Sequence, residues 1–414
     1  MNRFTRYLLM LAAESLTLPV RADIITSGAV NPNPPQQGQS LTVGDGAAGI
    51  LDVNDASAVD PSSLEVGRAG GAGQLNIDNG SVNGGSEVIV ANAAGTAGTT
   101  GAVDVRGAGT ITSNGLFLLG NGNATTATVH LDQGSSIVSD NDIRIGALGT
   151  NSATLNVTGG SSVTSHHYLQ IGHATGSNGT LTLDGASTVT ASSLCGIGDL
   201  GGSVGFVTVD GGSSMSIGGM MQIGIYPDSA GTLNLNNGSI NVGNGLVVGL
   251  KGNANLSIAA GSSITVPVNG VIFGNASSSQ ATVNFGLGHN QSGDPIAGLI
   301  TAYQLLIRSG ISTLNLSFDP NETFNVGDKF TLVDYDSTNW NGGTFANVGN
   351  DQLLSVNNHT FRIDYNDLIA PGDYALTATV VPLPTAAWGG ISLLGGMAGF
   401  ITSRTRRSAR PGVL

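Results

Sequence analysis

The sequence predicts an all-β protein built as a parallel β-solenoid, and three observations carry that reading. Glycine accounts for 64 of the 414 residues, while Asp, Glu, Lys and Arg together reach only 10%, against a usual share near a quarter. Four Glu and two Lys cannot furnish the charged outer faces of amphipathic helices, and the 23 Asp stand mostly in Gly/Asn/Ser surroundings that make turns. Apolar residues still make up 40% of the chain and recur at regular intervals, which a disordered, solvating chain does not do. The third observation is internal repetition. Clear copies of one pattern begin at Gly101, Ala127, Ala153, Gly179, Gly205 and Gly231, each 26 residues after the last, with looser copies at Gly49, Gly73, Ala254 and Ala281.

Taken in chain order, residues 1–22 read as a secretory signal peptide. Arg3 and Arg6 precede the apolar run from Leu8 to Ala13, and a small-residue site ends at Ala22, with cleavage expected before Asp23. Residues 23–298 hold the repeats. In each copy a first strand alternates apolar and polar residues (Leu155 and Val157, Leu181 and Leu183, Val207 and Val209). A single apolar residue follows a Ser or Thr (Ile137, Val163, Val189, Met215), and a late strand carries two more (Ile143 and Ile145, Leu169 and Ile171, Cys195 and Ile197). Strands this short become stable only if each copy forms one coil and neighbouring coils pair strand on strand. Ten coils at about 4.8 Å each make a rod about 48 Å long. The Gly after the late strand, at 120, 146, 172, 198, 224, 249 and 274, marks a position needing positive φ or a close backbone approach. An antiparallel sandwich explains the fixed period poorly.

From about Leu299 the register is lost, and residues 299–380 read as a small C-terminal β domain that closes the open end of the rod. This segment looks like the C-terminal parts of surface proteins with autotransporter-type β-strand repeats, with no room left for a membrane barrel. Residues 381–414 form a tripartite tail. Val381, Pro382, Leu383 and Pro384 are followed by two Ala and Trp388, then by an apolar run long enough for a single hydrophobic helix, then by Arg404, Arg406 and Arg407. That tail resembles the PEP-CTERM sorting signal of exopolysaccharide-producing Gram-negative bacteria, in the variant with a Val-Pro-Leu-Pro motif. Leu383 stands where the main family has Glu, and seven further residues follow Arg407. The resemblance implies a temporary membrane anchor through the C-terminal helix, processing near the motif by an exosortase, and release to the cell surface or extracellular matrix.

Charge and chemistry narrow the function. Net charge is −13, and with both termini set aside seven cations face 26 carboxylates, so a nucleic-acid partner is excluded on electrostatic grounds. Cys195 is the lone cysteine and sits in the column of Phe117, Ile143, Leu169 and Met221, as a small buried hydrophobe. Asp78, Asp132, Asp184, Asp210 and Asn236 share one offset after the first strand, where Asx turns use them. The one candidate ligand face is Asp140, Asp142 and Arg144, with His166, Tyr168 and Gln170 at the same offsets in the next coil. Two carboxylates and a cation suit Ca²⁺, a sugar acid or acid–base chemistry, against the plainer reading of a solvated strand face. His166, His167 and His173 lack zinc-ligand spacing. An ice-binding face needs regular Thr-x-Thr ladders, and Thr180, Thr182, Thr188 and Thr190 read as too isolated to make one.

The expected protein is therefore an exported, non-catalytic structural or adhesive rod that uses no cofactor. Its expected partners are an exosortase-like protease and extracellular polysaccharide or neighbouring surface proteins. The alternative is a β-helix polysaccharide lyase or glycoside hydrolase acting on extracellular glycans.

Overall fold

The computed structural model describes residues 23–308, 311–336 and 340–382. Ala22 and the tail from Leu383 onward, with Pro384, Trp388, Arg404, Arg406 and Arg407, lie outside the described residues, as does the expected C-terminal helix. The described residues form strands and turns with no helix.

Each coil contributes one short strand to each of three sheets, of 13, 14 and 12 strands. One coil shows the plan: Ser152–Val157 joins the first sheet, Ser162–Ser165 the second and Leu169–Ile171 the third. The next coil lies on it in parallel and in register, pairing Ala153 with Gly179, Val163 with Val189 and Leu169 with Cys195. All ten copy starts read from the sequence fall in one column of the first sheet, from Gly49 through Gly101, Ala153 and Gly205 to Ala281. Nine regular coils span Gly49 to Phe273. The tenth is enlarged, because Gln280–His289 overruns its neighbour and returns through Pro295–Ala297 as an antiparallel hairpin.

Alternation sends five side chains per coil inward. In one coil these are Leu155, Val157, Val163, Leu169 and Ile171, all buried, each contributing about 2 kcal/mol. Like residues stack on like, as in the column Leu75, Val103, Val129, Leu155, Leu181, Val207 and Leu233. Cys195 takes its place in such a column fully buried, and burial pushes its thiol up to about 12.

Where a coil turns into its first strand, a buried polar column closes the corner. The side-chain hydroxyls of Thr125, Ser177, Ser229 and Ser279 each donate to the carbonyl three residues back, at 3.1, 2.7, 2.7 and 2.6 Å. Most buried polar groups are satisfied in this way; Asn151 does the same with its amide at 2.9 Å to the Leu148 carbonyl, while Ser203 Oγ in the same column has no partner. The glycine after the late strand has both properties its recurrence predicts. Gly172 sits at φ +65, and a Cβ on it would lie 2.3 Å from the Val204 carbonyl oxygen of the next coil.

Both ends are closed by reversed strands. Ile24–Gly28 runs antiparallel on Gly49–Asn54, and Val30–Asn31 antiparallel on Ser40–Asp45. At the other end the ladders do not stop at Leu299, where the sequence register is lost. Leu299–Ala302, Leu305–Ile307 and Ile311–Ser317 continue the second, third and first sheets in parallel. The boundary reading misses them because the hairpin displaces the next first strand, so that Ala281 pairs with Ser312. Lys329–Asp336 then pairs parallel with Leu299–Ala302, and Asp373–Val381, His359–Ala370 and Gln352–Val356 follow antiparallel as an extension of the second sheet. Phe330, Tyr335, Phe361, Tyr365 and Leu376 belong to the same continuous core as the coils. Tyr365 anchors this end: its buried hydroxyl donates to the Val348 carbonyl at 2.8 Å and accepts from the Phe345 N–H at 3.0 Å.

Two predictions follow from this architecture. Gly172→Ala adds a left-handed non-glycine residue and a backbone collision, and should cost about 2–4 kcal/mol, read as a lower denaturant midpoint; an unchanged midpoint contradicts the close approach. The hairpin is tied to the closing end by His289, whose Nδ1 lies 2.5 Å from Glu322 Oε1 and whose Nε2 lies 3.4 Å from Asp328 Oδ2. The hydrogen bond to Glu322 raises the imidazole pKa against desolvation, with help from Asp328. A raised folded-state value means stabilisation that is complete below about 6.5 and is lost as pH rises through the folded value. Thermal unfolding should therefore move down between pH 6 and pH 8 in the wild type, and His289→Gln should flatten that dependence; equal slopes would refute the tie.

Candidate functional site

The third sheet places the candidate face. Ile143 and Ile145 point inward, so Asp142 and Arg144 stand together on the outside, and register sets Arg144 beside Gln170. The offsets expected between the two coils therefore hold, and the face is solvated at Asp140 and His166 but not at Asp142 and Gln170. Asp142 is only 4% exposed and both its oxygens are engaged. Oδ2 accepts from Arg144 Nη2 at 2.6 Å, while Oδ1 meets His167 Nδ1 at 2.7 Å and the Tyr168 N–H at 3.3 Å. The neighbouring His167 and Tyr168 rings lie tilted by 30° with centroids 3.6 Å apart. Asp140 and His166 form a separate, exposed pair at 3.0 Å.

Gln170 is drawn into a second cluster that sequence reasoning missed. Its Nε2 donates to Asp199 Oδ2 at 2.6 Å, and His173 Nδ1 lies 2.7 Å from the same oxygen. The signal for it was present: His173 and Asp199 each follow the column glycine, 26 residues apart. Residues at that offset fold back over the outside of the third sheet. Ala147 packs with Ile89 and Leu118 in a small apolar cluster, and a Cβ on Gly196 would lie 3.0 Å from Ile225 Cδ1. This flap of side chains explains why outward-facing Gln170 is buried, while Asp142 is closed off by Arg144, His167 and Tyr168. Among the described residues, no group of three or more His, Cys, Asp and Glu side chains converges to hold a metal ion.

A third polar cluster, also unforeseen, lies on the outer face of the first sheet near its N-terminal end. Arg106 holds Asp104 through two bonds, Nη2 at 2.5 Å and Nε at 3.1 Å, and Asn76 donates to Asp52 at 2.6 Å. The Asp104 hydrogen bond and charge raise the guanidinium pKa further. The turn carboxylates behave as their offset predicts: Asp132, Asp184 and Asp210 each accept the next residue's N–H, at 2.8, 2.7 and 2.7 Å.

Beyond that cluster the first sheet presents a different surface. Register aligns Thr128, Thr154, Thr180, Phe206 and Thr232 in one outward column, and His130, Asn156, Thr182, Thr208 and Asn234 in the next. Thr180 and Thr182 are thus members of ladders, not the isolated residues their sequence spacing suggests, because threonines in neighbouring coils are far apart in the chain and adjacent in space. From Thr126–Leu131 to Ile311–Ser317 the outward positions carry no Asp, Glu, Lys or Arg. Phe206, 37% exposed, is the aromatic ring on this face.

Neither a scan against protein-family models nor a search of curated proteins finds a match to this chain.

Proposed function

We propose that the protein is an exported, non-catalytic structural or adhesive rod, carried to the cell surface or matrix and sorted through its C-terminal tail by an exosortase-like protease. The observation that carries the non-catalytic part is the saturation of Asp142. A general acid or base needs a carboxyl oxygen free to meet substrate, and both oxygens of Asp142 are spent on Arg144, His167 and the Tyr168 backbone. The sorting part rests on the tail's likeness to PEP-CTERM signals. The two described residues of the motif are Val381, the last residue of the Asp373–Val381 strand, and Pro382, which is exposed. The long polar ladders suit a rod that acts through many weak contacts.

A β-helix lyase or glycoside hydrolase is the competing reading, and the exposed Asp140–His166 pair is the observation in its favour. The test is a depolymerisation screen with the full-length protein on neutral and acidic polysaccharides, with and without Ca²⁺. Asp140→Asn and Asp142→Asn serve as shape-conserving variants. No release of reducing or unsaturated ends above background is expected from any of the three proteins. Release by the wild type that either variant abolishes would replace the scaffold with an enzyme.

A further inference from the structure

The uncharged stretch of the first sheet has the chemistry of a glycan platform, and we propose that it binds a neutral polysaccharide, with Phe206 stacking on a sugar ring. This inference rests on the adhesive reading above and gives it a site and a ligand class. Eight strands, from Thr126–Leu131 to Ile311–Ser317, make the platform. At about 4.8 Å between strands they span about 34 Å along the rod, and six-residue strands give a width of about 20 Å. An extended chain of many sugars fits those dimensions.

The polar groups are free to bind. Among the described residues, the hydroxyls of Thr128, Thr154, Thr180, Thr182, Thr208 and Thr232 make no hydrogen bond within the protein. Each offers a donor, an acceptor and a methyl group in a fixed rotamer family, because β-branching stiffens χ1. Such preorganisation lowers the ordering cost of each weak contact. Phe206 stands in the middle of the column between Thr180 and Thr232, with half-exposed Val204 two residues before it on the same face. An exposed aromatic ring flanked by hydroxyls matches a pyranose, whose faces carry C–H bonds and whose rim carries hydroxyls.

Charge selects the neutral class. The face has no Lys or Arg to meet a uronate or sulfate, and the turn row Asp132, Asp184 and Asp210 along its edge repels an anionic polymer. The projecting Phe206 also breaks the flat threonine array that a crystalline ice surface requires.

The test uses the full-length protein in sedimentation binding to cellulose, curdlan and chitin, with alginate as the acidic counterpart and ice-recrystallisation inhibition as a separate assay. Saturable binding to one or more of the three neutral glycans is expected, and none to alginate. Phe206→Ala should weaken that binding about tenfold, and Thr180→Val with Thr232→Val about threefold. Thr190→Val, on the second sheet, should leave it unchanged, with thermal midpoints equal throughout. Three outcomes overturn the proposal: no binding to any of the neutral glycans, binding indifferent to Phe206→Ala, or activity on ice without glycan binding. None of them touches the scaffold reading, which fails only by product release that Asp140→Asn or Asp142→Asn abolishes.

Discussion

The structure depends on one constraint: a coil's strands have no partners of their own. From Ala72–Asp78 to Val271–Phe273 each strand hydrogen-bonds to the coil before it and the coil after it, so each coil must repeat the path of its neighbours. That requirement places Gly or Ala at the start of each first strand, where a Cβ on Gly179 would meet the Gly172 nitrogen at 2.2 Å. It places a positive-φ residue after each late strand, glycine from Gly120 to Gly274 and Ala91 in an earlier coil, and a buried hydroxyl at most corners, with Asn151 and Gly252 at two others. It also explains the ends, since a stack of parallel coils leaves open ladders at both: reversed strands cover the first and third sheets at one end and extend the second sheet at the other.

Because the constraint acts on every coil, it writes itself into the sequence. The ten copy starts, the five inward apolar positions, the burial of Cys195 and the turn role of Asp132, Asp184 and Asp210 are all legible there, since each is a column with a local chemical need. What was not legible has a different origin. The coil from Leu299 to Ser317 is hidden by an inserted hairpin that changes the spacing without changing the register. The burial of Asp142 depends on its two oxygens being closed off by Arg144, His167 and Tyr168, and that of Gln170 on side chains folding over the third sheet from the next turn; alternation alone does not reveal either. The threonine ladder is visible only when residues 26 apart are set side by side, so a search for Thr-x-Thr along the chain passes over most of it.

Those two surfaces divide the functional argument. On the third sheet, polar groups are spent on one another: Arg144 with Asp142, His173 and Gln170 with Asp199. On the first sheet, uncharged hydroxyls and one aromatic ring are left facing outward. Ionisable groups bound to one another on the third sheet and neutral hydrogen-bonding ladders on the first are the two surfaces from which the proposed role is argued.

In-register stacking is the claim on which the rest stands, and a disulfide ruler tests it most directly. Thr154 and Thr180 are partners on neighbouring strands, with Cα atoms about 4.8 Å apart, within reach of a disulfide. Thr154 and Thr182 are offset diagonally, at about 8 Å and beyond that reach. Fully buried Cys195 does not compete. Under mild oxidation, Thr154→Cys with Thr180→Cys should cross-link quantitatively and Thr154→Cys with Thr182→Cys should stay reduced. Cross-linking of the second pair in preference to the first would show a different register and contradict the account.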